Sequence, residues 1–150
     1  MSKLNFSITI SAPKEKVWHT MLDDVTYRQW SNAFNPISYY EGSWDQGSKM
    51  KFLGPDENGK IGGMISEIAE NRLYEYLSIH HIGLIQDGVE DTKSAEAEKW
   101  DGYENYTFQE KDGKTKVLVD MSGDLEEEFK KFMEEAWPKA LEKLKDLAEG

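Results

Sequence analysis

Few residues in this sequence can carry chemistry. The 150-residue chain has no cysteine and three histidines, which excludes thiolate nucleophiles, disulfides and cysteine-rich zinc sites. Two histidines, His80 and His81, are adjacent in "SIHHIG" (78–83), wrapped in isoleucine. Such a pair can be a metal site, an acid/base site or ordinary packing. Successive side chains on a regular strand point to opposite faces, so His80 and His81 cannot both ligate one metal there. His19 belongs to no HExxH-type pattern, and no paired-carboxylate spacing is present. No metal and no cofactor is expected.

The other candidate is Glu104, in "WDGYENYTF" (100–108). Trp100, Gly102, Glu104, Tyr106 and Phe108 share one face of a strand, and Asp101, Tyr103, Asn105, Thr107 and Gln109 share the other. The first face is the more apolar, so Glu104 points inward among aromatics. A buried carboxylate is costly unless it is paired or hydrogen-bonded. Three readings of it stay open: a structural hydrogen bond, a polar anchor for a ligand with His81 beside it, or a general acid/base pair with His81. The last lacks an accompanying nucleophile or oxyanion device. Which histidine faces inward depends on its strand. If Leu77 and Ile79 face the core, it is His81; if Tyr74, Tyr76 and Ile82 do, it is His80.

These side chains must be positioned by the elements around them. Leu4, Phe6, Ile8 and Ile10 alternate with polar residues at the period of a half-buried strand. Ser11-Ala12-Pro13 stops it, and Val17, Trp18, Met21 and Leu22 continue at helical spacing. Asp23 and Asp24 suit the start of a second short helix. Strand-like stretches then follow from residue 37 to residue 122, separated by turn signals that include Glu70-Asn71 and Lys111-Asp112-Gly113. The acidic segment 86–99 is expected to be an exposed loop, able to act as a lid. Asp124 with Glu127 forms a capping-box pattern ahead of a long helix over 125–148. Its apolar face is drawn from Phe129, Phe132, Met133, Ala136, Trp137, Ala140, Leu141, Leu144 and Leu147.

The expected fold is therefore α+β: a curved antiparallel sheet of about seven strands wrapped around a long C-terminal helix, with two short helices after the first strand. Such an arrangement encloses a space between helix and sheet. Alternation points Met50, Phe52, Met64 and Val119 inward, and Phe129, Met133 and Trp137 descend from the helix. With Trp100, Tyr106, His81 and Glu104 these are the candidate ligand-binding residues. A filled core and a ligand cavity are both compatible with that lining.

Length and composition fit one domain over 1–150. A net charge of −11 argues against nucleic acid or an anionic membrane as a partner. No run is long and apolar enough to span a membrane, and the N-terminus reads directly into a strand, so a cytoplasmic protein is expected.

The element order, together with "SAPKEKVW" (11–18), "YRQWS" (27–31), the stretch 39–64, "SIHHIGLIQDGVEDT" (78–92), "WDGYENYTF" and "WPKALEKLK" (137–145), resembles the START-related, birch-pollen-allergen-like superfamily with its helix-grip fold. Within it the chain resembles the C-terminal domain of the Aha-type activator of the Hsp-ninety chaperone ATPase. The resemblance implies a hydrophobic cavity between helix and sheet. The subgroup motif reads Ser-Ile-Glu-His-hydrophobic-Gly, so His81 matches its histidine and His80 stands at a usually acidic position. The leading expectation is a binder of a small apolar or aromatic molecule. The alternatives are an interaction module, with a chaperone as possible partner, and an enzyme of cyclase or hydratase type using Glu104 and His81.

Overall fold

The computed structural model describes residues 2–123 and 125–150. The opening alternation forms strand β1 (Ser2–Ile10). Pro13, which has no N–H to donate, stands at the N-cap of helix α1 (Lys14–Leu22). Asp23, with extended backbone, separates α1 from α2 (Asp24–Trp30), and its carbonyl accepts from Tyr27 N. A 3-10 turn (Ser31–Ala33) continues α2.

The strands that follow are β2 (Tyr39–Gly42), β3 (Lys49–Pro55), β4 (Ile61–Arg72), β5 (Tyr76–Gln86), β6 (Val89–Asp91), β7 (Gly102–Lys111) and β8 (Lys114–Gly123). The short helix α3 (Ala95–Glu98) lies between β6 and β7, and α4 (Glu127–Glu149) ends the chain. The strands pair antiparallel in the order β1-β8-β7-β5-β4-β3-β2, with β6 folded back on β5. Helix α4 packs against β1, α1 and α2. This is an open, curved antiparallel sheet with a C-terminal helix, a helix-grip fold.

Four local expectations are corrected. Segment 86–99 is not a loop: Asp87 and Gly88 adopt positive φ, so Gln86 pairs with Val89 across a two-residue turn, adding an eighth strand. Asp-Gly is a strong hairpin signal, and it outweighs the acidic composition of the segment. Ser94 then caps α3 by accepting from Ala97 N at 3.1 Å. Glu70-Asn71 is not a turn either. Asn71 instead ties β4 to the loop between β2 and β3, donating from Nδ2 to Trp44 O at 2.8 Å, and the chain reverses around Tyr74, at φ 65°. Trp100 precedes β7 rather than lying in it. Finally, Phe132 is 45% exposed, because the 3-10 turn, which brings Phe34 to within 6.4 Å of it, covers only part of the ring. Asp124 lies outside the described residues; the N-cap of α4 is Glu126, whose side chain makes no capping bond.

The main core lies between α4 and the sheet, with Ile10, Ile68, Leu77, Ile79, Val117 and Leu144 fully or almost fully buried. A smaller cluster of Leu53, Ile65 and Ile85 is joined by half-buried Ile82. The two clusters meet in β5 through a change of register. Ser66 opposes His81 while Ile65 opposes Gly83, which leaves Ile82 as an extra residue. That β-bulge reverses the in/out alternation, so Leu77, Ile79 and His81 share one face before the bulge and Leu84, paired with Met64, takes it after the bulge. This is why the strand reads as two-faced in the sequence. Gly83 follows the bulge because a Cβ there would lie 2.4 Å from Asp91 O of the returning β6.

Candidate functional site

Strand β5 buries His81 to 6% exposure and leaves His80 on the opposite face. His80 stacks on Tyr103 with ring centroids 4.4 Å apart and contacts Asp101 Oδ1 at 2.7 Å. The two histidines thus belong to separate surroundings. Among the described residues, no group of three or more His, Asp or Glu side chains is arranged to hold a metal ion.

His81 is held between two partners. Its Nδ1 lies 2.6 Å from Ser66 Oγ on β4, and its Nε2 lies 3.5 Å from Glu104 Oε1 on β7. The second distance is within ion-pair range but is too long for a good hydrogen bond, and Nε2 has no hydrogen-bond partner among the described residues. A carboxylate facing Nε2 favours the tautomer with its proton there, so that Ser66 is the donor to Nδ1. Tyr106, two residues along the same face of β7, donates its hydroxyl to Glu104 Oε2. Burial, and after it the Glu104 charge, pushes the phenols of Tyr106 and Tyr27 well above the usual tyrosine range.

Beside this polar group lies a pocket of about 360 Å³. Its floor comes from the sheet, with Phe52, Met64, His81, Glu104 and Tyr106. Trp137 and Met133 of α4 form one wall, and Tyr27, Trp30 and Phe34 form another. Trp137 is the hub of the aromatic wall, with ring centroids 4.9 Å from Phe34, 5.8 Å from Trp30 and 6.0 Å from Tyr106. Trp30 and Trp44 donate their indole N–H groups to Met21 O and Leu22 O, whereas the buried Trp137 Nε1 has no partner among the described residues. Gly63, at φ 153°, lets β4 pass this wall; a Cβ there would lie 1.8 Å from Phe52 O.

A second hollow of about 60 Å³ shares Met64 and His81 with the first and continues towards Trp100 and Phe129. Ligand pockets typically hold about 300–1,000 Å³, so of these two adjoining spaces the larger suits a small organic molecule. Of the residues singled out from sequence, Phe52, Met64, His81, Glu104, Tyr106, Met133 and Trp137 line the larger pocket, and Trp100 and Phe129 the smaller. Met50 and Val119 are packed in the core and line neither.

Sequence reasoning missed Ser66, Tyr27, Trp30 and Phe34 at the site. Ser66 was legible as the single polar member of the alternating inward set Met64, Ser66 and Ile68. Tyr27, Trp30 and Phe34 carried no such signal, because their approach to the sheet is a tertiary event.

Ser66, His81 and Glu104 have the residue types of a hydrolytic triad but not its layout. In a triad the serine attacks from the pocket and the acid steadies the far ring nitrogen. Here Ser66 is fully buried and lines neither pocket, while His81 and Glu104 both line the larger one. The arrangement therefore suits a histidine positioned by Ser66, with its ring and the Glu104 carboxylate in the pocket wall and Nε2 buried without a partner among the described residues.

A sequence model of the family described as Activator of Hsp90 ATPase homolog 1-like protein matches residues 11–149. None of the curated proteins matches the chain. Among solved structures, the Aha1 dimer from Colwellia psychrerythraea is similar at TM-score 0.73 and 19% identity, over 99% of this chain and 97% of that one. A protein from Cytophaga hutchinsonii follows at TM-score 0.71 and 17% identity, over 98% and 93% of the two chains. One from Chromobacterium violaceum has TM-score 0.70 and 16% identity, over 100% and 99%. At these identities the likeness is one of fold.

Proposed function

The chain belongs to the Activator of Hsp90 ATPase homolog 1-like family, and we propose that it binds a small apolar or aromatic molecule in the pocket between α4 and the sheet. The observation that carries this reading is the pairing of an aromatic lining with buried polar atoms that lack partners, His81 Nε2 and Trp137 Nε1. Each such atom costs about 1–3 kcal/mol if nothing pairs with it, so the pocket is poorly explained as packing alone. A cytoplasmic setting and a single domain over 1–150 are part of the same proposal.

The test is native mass spectrometry of protein purified from its own host, followed by thermal shift with a panel of lipids and aromatics. A retained apolar ligand, or a raised Tm with one class of compound, supports the reading. No retained ligand and no shift across the panel overturns it.

A second reading is an interaction module acting on a chaperone ATPase. It is supported by the family's description and by Val25, Ile37 and Phe132, which stand 68%, 61% and 45% exposed. Binding to a chaperone ATPase with stimulated ATP turnover, lost on Phe132→Ser, supports it; no binding removes it. An enzyme of cyclase or hydratase type using Glu104 and His81 has less support, since Ser66, the serine paired with His81, lines neither pocket.

A further inference from the structure

We propose that the occupant of the pocket carries an uncharged hydroxyl, phenolic or enolic, that accepts from His81 Nε2 and donates to Glu104 Oε1; this rests on the ligand-binding reading of that pocket. The polar atoms there make opposite demands. In the tautomer favoured by the facing carboxylate His81 Nε2 carries the proton, and Trp137 Nε1–H can only donate, so both call for an acceptor. Glu104 can only accept, and Tyr106 engages just one of its oxygens. The open oxygen, Oε1, is the one that faces His81 Nε2 at 3.5 Å. A ligand oxygen about 2.8 Å from each atom completes a triangle with ordinary hydrogen-bond lengths.

Charge and donor count decide against the other classes. A ligand carboxylate would accept from His81 Nε2 but would meet the Glu104 charge in a poorly solvated site. An ammonium group would suit Glu104 and the aromatic walls, yet it would leave His81 Nε2 unpaired, because it cannot accept. A pure hydrocarbon would leave all three groups unmet. A hydroxyl both accepts and donates. The aromatic walls of Tyr27, Trp30, Phe34 and Trp137 then take the body of the molecule.

The experiment is isothermal titration of the full chain with four probes sharing one ring system: naphthalene, β-naphthol, β-naphthoate and naphthylmethylammonium. At about pH 7 the naphthol, like a tyrosine phenol, is neutral. The expected order places β-naphthol first, about tenfold tighter than naphthalene, with the two ions weaker than β-naphthol. In Glu104→Gln the naphthol advantage shrinks and β-naphthoate binds more tightly than it does to the unaltered protein. The wild-type series stands alone should that variant fail to fold. Equal affinity for naphthalene and β-naphthol, or tightest binding of either ion, overturns the hydroxyl inference while leaving the ligand-binding reading intact. If none of the four binds, the ligand-binding reading fails and this inference falls with it.

Discussion

His81 Nε2 faces Glu104 Oε1 across 3.5 Å, while Ser66 Oγ holds the opposite ring nitrogen at 2.6 Å. The three residues come from β5, β7 and β4, neighbouring strands in the sheet. The histidine is therefore oriented from one side and left without a hydrogen-bond partner on the other among the described residues. Ser66→Ala removes the hydroxyl on which this orientation depends and leaves Nδ1 buried without its partner. The expected cost is about 1–3 kcal/mol in urea denaturation, with a shift of the ring tautomer visible by nitrogen NMR. An unchanged tautomer would show that Ser66 does not set the ring.

The tyrosines beside Glu104 should make the protein sensitive to alkali. Tyr106 and Tyr27 have phenols raised by burial and then by the Glu104 charge. Above about pH 10, the unfolded phenol range, the folded state holds protons that the unfolded state has lost. Stability is therefore fully present below that pH and falls as pH rises above it. Glu104→Gln removes the cause that ranks after burial, so its stability should fall less steeply over the same alkaline range. Denaturation curves recorded through that range, with phenolate absorbance as a second readout, provide the comparison. Parallel curves for the two proteins would remove Glu104 as a cause.

Two aromatics on α4 should differ sharply despite similar spacing. Trp137 is 2% exposed and Phe132 is 45% exposed. Trp137→Ala is expected to cost about 3–5 kcal/mol, since it empties the hub of the aromatic wall. Phe132→Ala should stay within about 0.5 kcal/mol. Trp137→Phe separates packing from the unpaired N–H: it should keep most of the stability and weaken ligand binding. Equal losses for the two alanine variants would contradict the packing described above.

Gly83→Ala tests the bulge and the β5–β6 return together. The added methyl would lie 2.4 Å from Asp91 O and 2.9 Å from the Thr92 methyl. A destabilisation of about 1–3 kcal/mol is expected, with faster amide exchange in Val89–Asp91. Unchanged exchange there would mean that β6 does not need the close approach.

Much of the fold is legible in the residues themselves. Period-two alternation marks β1, β7 and β8 because each has one face on a core, and the apolar stripe of α4 marks a helix that must cover a sheet. The inward position of Glu104 follows from the same alternation, since its neighbours Tyr106 and Phe108 are buried. The readings that failed were governed by single backbone positions. Asp87-Gly88 turned an acidic tract into a hairpin, and Asn71 spent its side chain on the 44–46 loop rather than on a turn.

What the sequence determined by itself was the order of elements, the faces they bury and the scarcity of catalytic groups, because these depend on local periodicity and residue type. Only the tertiary structure decided which histidine matters and how. The register shift at Ile82 reverses the strand's faces just past His81, and no local pattern encodes where a partner strand will slip by one residue. The pocket is likewise a product of assembly: Tyr27, Trp30 and Phe34 reach the sheet only when α2 docks against α4. Strand pairing brings Ser66, His81 and Glu104 together across 38 residues of sequence, and that juxtaposition follows from the register of β4, β5 and β7.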